Sequence, residues 1–326
     1  MFANARHIDT PMALDPVVLF FILGLAAGLA RSDLKIPPAI YDLLSLILLL
    51  AIGMKGGIEL ARQPATGLVH DIAVVIAMGV VLTLLAFAIL LLCRLPRIDA
   101  AAVAAHYGSV SVATFAVGVA YVTRAGLPYE PHLPLFLVVL EIPGIVVGIL
   151  LARGGARGLP WRKLLHEILF GRSVLLLLGG LVIGWVMGEQ GMAPIAPLFI
   201  DLFKGVLALF LLEMGLIAAG HLGGLRGRNL AVIGFALLAP PLFALVGIGT
   251  AALLGLSQGG ALLLATLAAS ASYIAAPAAL RTAVPEANPA LSLTAALGIT
   301  FPFNILVGLP LYHQMVHALL VAPPPG

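Results

Sequence analysis

Apolar runs of about twenty residues, the length that carries an α-helix across a bilayer, recur from Val17 to Leu320. Short breaks rich in charge, proline and glycine separate them. Taking those breaks as loops, the pattern predicts spans at 16–30, 39–60, 69–92, 99–123, 131–152, 173–190, 195–218, 229–254, 259–281 and 289–320, ten in all. A membrane β-barrel would instead alternate in segments of about ten residues, and no such alternation is present. Composition agrees with the pattern. The chain is 62 % hydrophobic and 10 % charged, where soluble domains carry about 25 % charge, and its mean hydropathy is +1.15. The fold class expected is an all-α membrane protein.

The few charges then set topology. With the N-terminus outside, alternate loops hold Arg31, Lys35, Arg94, Arg97, Arg153, Arg157, Arg162, Lys163, Arg172, Arg226, Arg228 and Arg281, which is twelve of the seventeen basic residues. Cytoplasmic loops accumulate Lys and Arg, so both termini are expected outside a bacterial inner membrane. The net charge of +3 is spread between spans and not gathered in one region, so no nucleic-acid partner is expected. Gly28-Leu29-Ala30 resembles a signal-peptide cleavage site, but the first span is expected to be retained because a repeat requires it. The single cysteine, Cys93, ends an apolar run and reads as a small packing residue.

That repeat relates two halves. Gly24-Leu25-Ala26-Ala27-Gly28 in the first span and Gly180-Leu181-Val182-Ile183-Gly184 in the sixth share a G-L-x-x-G spacing. Ser109/Ser111 and Ser270/Ser272 form S-x-S pairs in the fourth and ninth. Each pair is followed by R-x-x-[LV]-P, Arg124 to Pro128 and Arg281 to Pro285, and Ile142-Pro143 in the fifth span matches Phe301-Pro302 in the tenth. Five spans per half is an odd number, so the halves enter the membrane from opposite faces, as in the inverted repeats of secondary transporters. The domains expected are a first repeat at 12–152, a cytoplasmic connector at 153–172 and a second repeat at 173–320.

Helical rise of 1.5 Å per residue puts both S-x-S elements about 15 Å deep, near the bilayer midplane. Gly108 before the first pair and Pro277 after the second suit breaks in helices 4 and 9. A restarted half-helix offers unpaired amides and a positive dipole end, and hydroxyls beside it add donors and acceptors. Such a site fits a small anion. Unwound carbonyls and hydroxyl oxygens fit a sodium ion beside it. The alternative is that serine and glycine only permit close helix packing; two matched pairs favour a site.

The stretches GSVSVATF, AGLPYE, LEIPG, ASASYIAAPAALRTAVPEANP and ITFPFNILVGLPLY resemble the cyanobacterial sodium-dependent bicarbonate transporter family across most of both halves. The resemblance implies a gate or scaffold of helices 1, 2, 6 and 7 and a transport core of helices 3–5 and 8–10, moving by elevator-type alternating access. It implies bicarbonate bound where helices 4 and 9 cross, a homotrimer, and a cytoplasmic PII-like regulator, for which the central loop here is short. The substrate set it implies is Ser109, Ser111, Val112, Ala113 and Thr114 from helix 4, with Ser272, Tyr273 and Ala275 from helix 9. The sodium set is Ser270, Ser272, Glu141, Thr300 and Asn304. Tyr273 stands where the family pattern carries an aspartate, which weakens the case for sodium coupling and leaves a phenol able to donate to an anion.

Among other polar residues, Glu141 inside the fifth span is a functional candidate because an unpaired intramembrane carboxylate is costly. Lys55 and Glu213 read as structural pairing or snorkelling groups, and Arg124 and Arg281 as loop anchors near helix ends. His106 beside the break reads as a packing residue ahead of a proton relay. His313 and His317 share a helical face but lack a third metal ligand, so no cofactor beyond sodium is expected. The function expected is a secondary carrier importing a small inorganic anion, bicarbonate first. An organic-anion or proton-coupled carrier of bile-acid-symporter or antiporter type, a channel and a membrane-embedded hydrolase are the alternatives, the last disfavoured because no nucleophile has a base at suitable spacing.

Overall fold

A computed structural model describes residues 15–62, 67–155, 161–223 and 230–320. It is a multi-pass, all-α membrane architecture. The helices are α1 (Pro16–Leu29), α2 (Pro38–Arg62), α3 (Leu68–Leu92), α4 (Arg97–Tyr107), α5 (Val112–Arg124), α6 (Leu133–Arg153), α7 (Trp161–Leu169), α8 (Arg172–Met192), α9 (Phe203–Gly223), α10 (Leu230–Leu254), α11 (Gln258–Ala268), α12 (Ala275–Ala283) and α13 (Pro289–Leu320). Among the described residues eight helical segments are long and apolar enough to cross a bilayer, counting α4 with α5 as one broken segment; α1 and α11 are shorter apolar helices.

The predicted spans meet these helices closely except around the sixth and seventh. There α8 passes through Gly188 in the left-handed region (φ 61°), and short 3-10 and π turns at 193–201 delay α9 to Phe203. Pro194 and Pro197 explain the delay, since neither supplies a backbone N–H to a regular helix. The connector at 153–172 also contains a helix. In α7 the apolar Leu164 and Ile168, four residues apart, are buried, while Arg162 and Lys163 are exposed, which is the pattern of a helix lying on an interface.

Two helix pairs pack with backbones almost touching, α1 with α9 and α2 with α8. Small residues make this possible, because lipid provides no hydrophobic drive and close van der Waals contact must replace it. A methyl group at Gly24 would collide with the Leu212 carbonyl, and one at Gly184 with the Met54 carbonyl. The G-L-x-x-G repeat thus marks both seams.

The remaining long helices, α3 to α6 and α10 to α13, pack mainly on one another. α13 joins them through polar clamps. Pro302 leaves the Gly298 carbonyl without its helical donor, and the helix widens to π turns at Thr294–Thr300 and Asn304–Gly308 around it. Thr300 Oγ1 meets Tyr107 Oη at 2.6 Å and donates to the Ala236 carbonyl at 2.7 Å. Asn304 Nδ2 donates to the Ala269 carbonyl at 2.9 Å while its Oδ1 accepts from Tyr312 Oη at 2.6 Å. Replacing Asn304 with leucine therefore orphans a buried carbonyl and a buried hydroxyl. Each costs about 1–3 kcal/mol, so thermal unfolding of the purified variant is expected several degrees below wild type.

Candidate transport site

Two interrupted helices meet in the middle of the core. α4 stops at Tyr107 and the chain unwinds over 108–111 before α5 restarts at Val112. α11 stops at Ala268, and α12 restarts at Ala275 with Pro277 in its first turn. Ser111 makes the first restart. Its backbone is extended (φ −111°, ψ 115°), and its Oγ accepts from the Thr114 amide at 3.2 Å and from Thr114 Oγ1 at 2.9 Å, the N-cap arrangement that satisfies an orphan helix donor. Gly108 caps the end of α4 at the break, where its sequence position puts it. Its dihedrals are right-handed helical (φ −90°, ψ −8°) and open to any residue. What demands glycine is space, because a side chain there would collide with Thr83 and one at Gly144 with the Gly108 backbone.

The two breaks hold each other. The Ser111 amide donates to Ser270 Oγ at 2.9 Å, and the Ser272 amide donates to the His106 carbonyl at 2.8 Å. Ser270 Oγ in turn donates to the Leu267 carbonyl at 2.8 Å, Ser109 Oγ to the Glu141 carbonyl at 3.2 Å, and Ser272 Oγ accepts from the Ala276 amide at 3.3 Å. All four serines and Thr114 are buried. Most of their hydrogen-bonding capacity thus closes the breaks upon themselves, which unwound backbone at this depth requires.

Left over for a ligand are main-chain amides. No hydrogen bond among the described residues takes up the Val112, Ala113 or Ala275 N–H. The first turns of α5 and α12 contain no acidic residue, so both positive dipole ends stay uncompensated there. Tyr273 Oη is buried and, among the described residues, has the Ser111 side chain nearby but no hydrogen bond of good geometry, and its ring stands edge-on to Phe301 at 5.8 Å. Val112, Ala113 and Tyr273 line a cleft of about 10 Å³ closed by Ser45 and Leu49 of α2 and by Phe210 of α9. That is room for about one water.

The residues put forward as sodium ligands are not all gathered. Ser270 and Ser272 sit at the crossing, and Glu141 adjoins it through its carbonyl. Its carboxyl is buried with Oε2 unpartnered. Thr300 and Asn304 are occupied as clamps, Thr300 toward α4 and α10 and Asn304 toward the end of α11. Among the described residues no three His, Cys, Asp or Glu are grouped to hold a metal ion.

Over residues 16–317 the sequence matches the family described as the Na+-dependent bicarbonate transporter superfamily. The chain belongs to that superfamily. No curated protein matches it. It is accordingly a secondary transporter and not an enzyme.

The transporter also has an opening that the sequence did not single out. Following α5 beyond Phe115, a vestibule of about 300 Å³ opens between α2, α5 and α6, lined by Lys55, Glu59, Arg62, Tyr129 and Glu189. Arg62 bridges Glu59 at 2.8 Å and Glu189 across the α2/α8 seam. Among the described residues Lys55 forms no ion pair with a carboxylate. Its ammonium lies 4.2 Å from the centroid of the Phe203 ring, a cation–π contact. The sequence marks Lys55 as a pairing or snorkelling group; Ser45 could have been noticed as another polar residue in the same apolar run, and Phe210 leaves no signal in the sequence.

Proposed function

We propose that this transporter imports bicarbonate, coupled to sodium, through ten spans arranged as a 5+5 inverted repeat with both termini outside the bacterial inner membrane. The observation that carries the reading is the crossing itself. The first turn of α5, with the free Val112 and Ala113 amides, and Tyr273 and Ile274 just ahead of α12 line a small cleft whose far wall belongs to α2 and α9. An anion held by amides and dipole ends needs no cationic side chain, and a site shared between the glycine-packed helices and the core is where elevator movement of one past the other would uncover it.

Reciprocal contacts support the inverted relation. The α1/α9 seam has its counterpart in α8/α2, first span with seventh and sixth with second. The loop after each broken helix also docks on the start of the other. Glu130 Oε1 accepts from the Ser257 amide at 2.6 Å at the head of α11, and Asp99 Oδ1 near the head of α4 accepts from the Asn288 amide at 2.9 Å. Two helices, α1 and α11, fall below the length that spans unaided; the count of ten takes α11 together with α12. A homotrimer and a PII-like regulator extend the reading by family likeness alone.

Uptake of radiolabelled bicarbonate into proteoliposomes, driven by an inward sodium gradient or by a pH gradient, tests this. Stimulation by sodium is expected, and uptake that follows only the pH gradient would transfer the protein to the proton-coupled class. Tyr273→Phe should raise the bicarbonate KM about tenfold, the worth of one hydrogen bond to a charged group, while leaving sodium dependence intact.

A further inference from the structure

The transport core holds a second cavity, bordered by the half of the first broken helix that precedes the break, whereas the vestibule is bordered by the half that follows it. α4, α12, the loop after it and the start of α13 surround a cavity of about 160 Å³, far roomier than the cleft at the breaks. Most of its wall is apolar, from Ala102, Pro277 and Leu280 among others, but it includes His106, Arg281 and Ser292.

His106 is 2 % exposed. Its Nδ1 lies 2.8 Å from the Ala102 carbonyl. A carbonyl only accepts, so the proton sits on Nδ1, and in the neutral ring Nε2 presents a lone pair. Nε2 is buried with no hydrogen-bond partner among the described residues. A buried acceptor in that state is unfavourable until something donates to it. Arg281 adds to the same wall a guanidinium that can only donate and is always charged.

The ligand complementary to this pair is small, carries negative oxygen for Arg281 and keeps one O–H for His106 Nε2. A metal cation would be repelled by Arg281, and chloride or nitrate would satisfy Arg281 and leave Nε2 bare. We infer that this cavity is a second binding site, on the exit side of the crossing, for a small oxyanion that retains one O–H. Bicarbonate has that chemistry. Identifying the ligand as bicarbonate, and this side as the exit, rests on the transport reading above; the cavity and its donor and acceptor do not. His106 also links the two sites directly, because its own carbonyl receives the Ser272 amide of the second break.

Equilibrium binding of radiolabelled bicarbonate to the purified full-length protein tests the inference, with nitrate as a planar competitor lacking O–H. Wild type is expected to bind at two classes of site. Arg281→Gln, at an exposed position, should weaken one class about tenfold or more, the loss of a charge-assisted hydrogen bond. His106→Phe should abolish the same class, and nitrate should displace bicarbonate from it poorly. A single class of site, lost in Ser111→Val and unchanged in Arg281→Gln, would overturn the inner site while leaving the transport reading in place. Equal displacement by nitrate would overturn the role of His106, and no bicarbonate binding at all would overturn both readings.

Discussion

Replacing Gly144 with alanine is expected to abolish uptake and to lower the unfolding temperature, from one added methyl group. A Cβ at this position would collide with the carbonyl carbon and oxygen of Gly108 and the amide nitrogen of Ser109. All three are main-chain atoms, so no side chain can rotate away. Relief requires α6 to retreat from the first break, and Ser109 is tied to α6 through its hydrogen bond to the Glu141 carbonyl. Overpacking of this kind costs about 1–3 kcal/mol, but here the displacement falls on the strands of chain that shape the cleft. Gly179 is the control. Nothing lies within 4 Å of where its Cβ would be, and Gly→Ala in a helix interior is favourable by about 1 kcal/mol, so Gly179→Ala should match or exceed wild type in thermal unfolding and transport normally. Uptake by Gly144→Ala within twofold of wild type would show that the break tolerates displacement.

The contrast between Gly108 and Ser111 shows how far the sequence could be read. Span length fixes depth, because helical rise is constant, and depth was enough to bring the two S-x-S elements to a common level. Polar residues that recur at that level, with a proline in the restarted turn, have few structural uses besides a break. Azimuth is another matter. Which face of α13 Thr300 and Asn304 occupy depends on π turns around Pro302, and those turn the helix away from the 3.6-residue period; two residues put forward as ion ligands emerged as clamps for that reason. The same limit hid the wall opposite the breaks. Ser45 and Phe210 reach the cleft only because α2 and α9 lie across it, a tertiary fact with no local pattern. Gly108 suits a break by its place in the sequence, whereas the approach of Thr83 and Gly144 is what demands glycine there, and neither neighbour is close in the chain. α7 escaped because its nine residues lie in a charged connector where its two buried positions are too few to read as a span.

Glu141→Gln is expected to separate stability from coupling. Glu141 is 1 % exposed, no basic group forms an ion pair with it among the described residues, and its Oε2 has no hydrogen-bond partner. A carboxylate so placed is unfavourable by several kcal/mol if ionised and uncompensated, so the protein either keeps it protonated or supplies a cation. The adjacent first break, with the Glu141 carbonyl already bonded to Ser109, makes sodium the cation that the family membership favours. Sodium bound only by the folded state stabilises it by RT ln(1 + [Na+]/Kd), about 2.7 kcal/mol at a hundred times Kd. Wild type should therefore unfold at a higher temperature in sodium than in a larger organic cation at equal ionic strength. Glutamine keeps the shape of the side chain and removes the charge, so the variant should lose that increment and its sodium-stimulated uptake while unfolding in sodium-free buffer no earlier than wild type. If Glu141 is only a protonated packing residue, the sodium increment survives in the variant, and the coupling ion must be sought among the hydroxyls and carbonyls of the crossing.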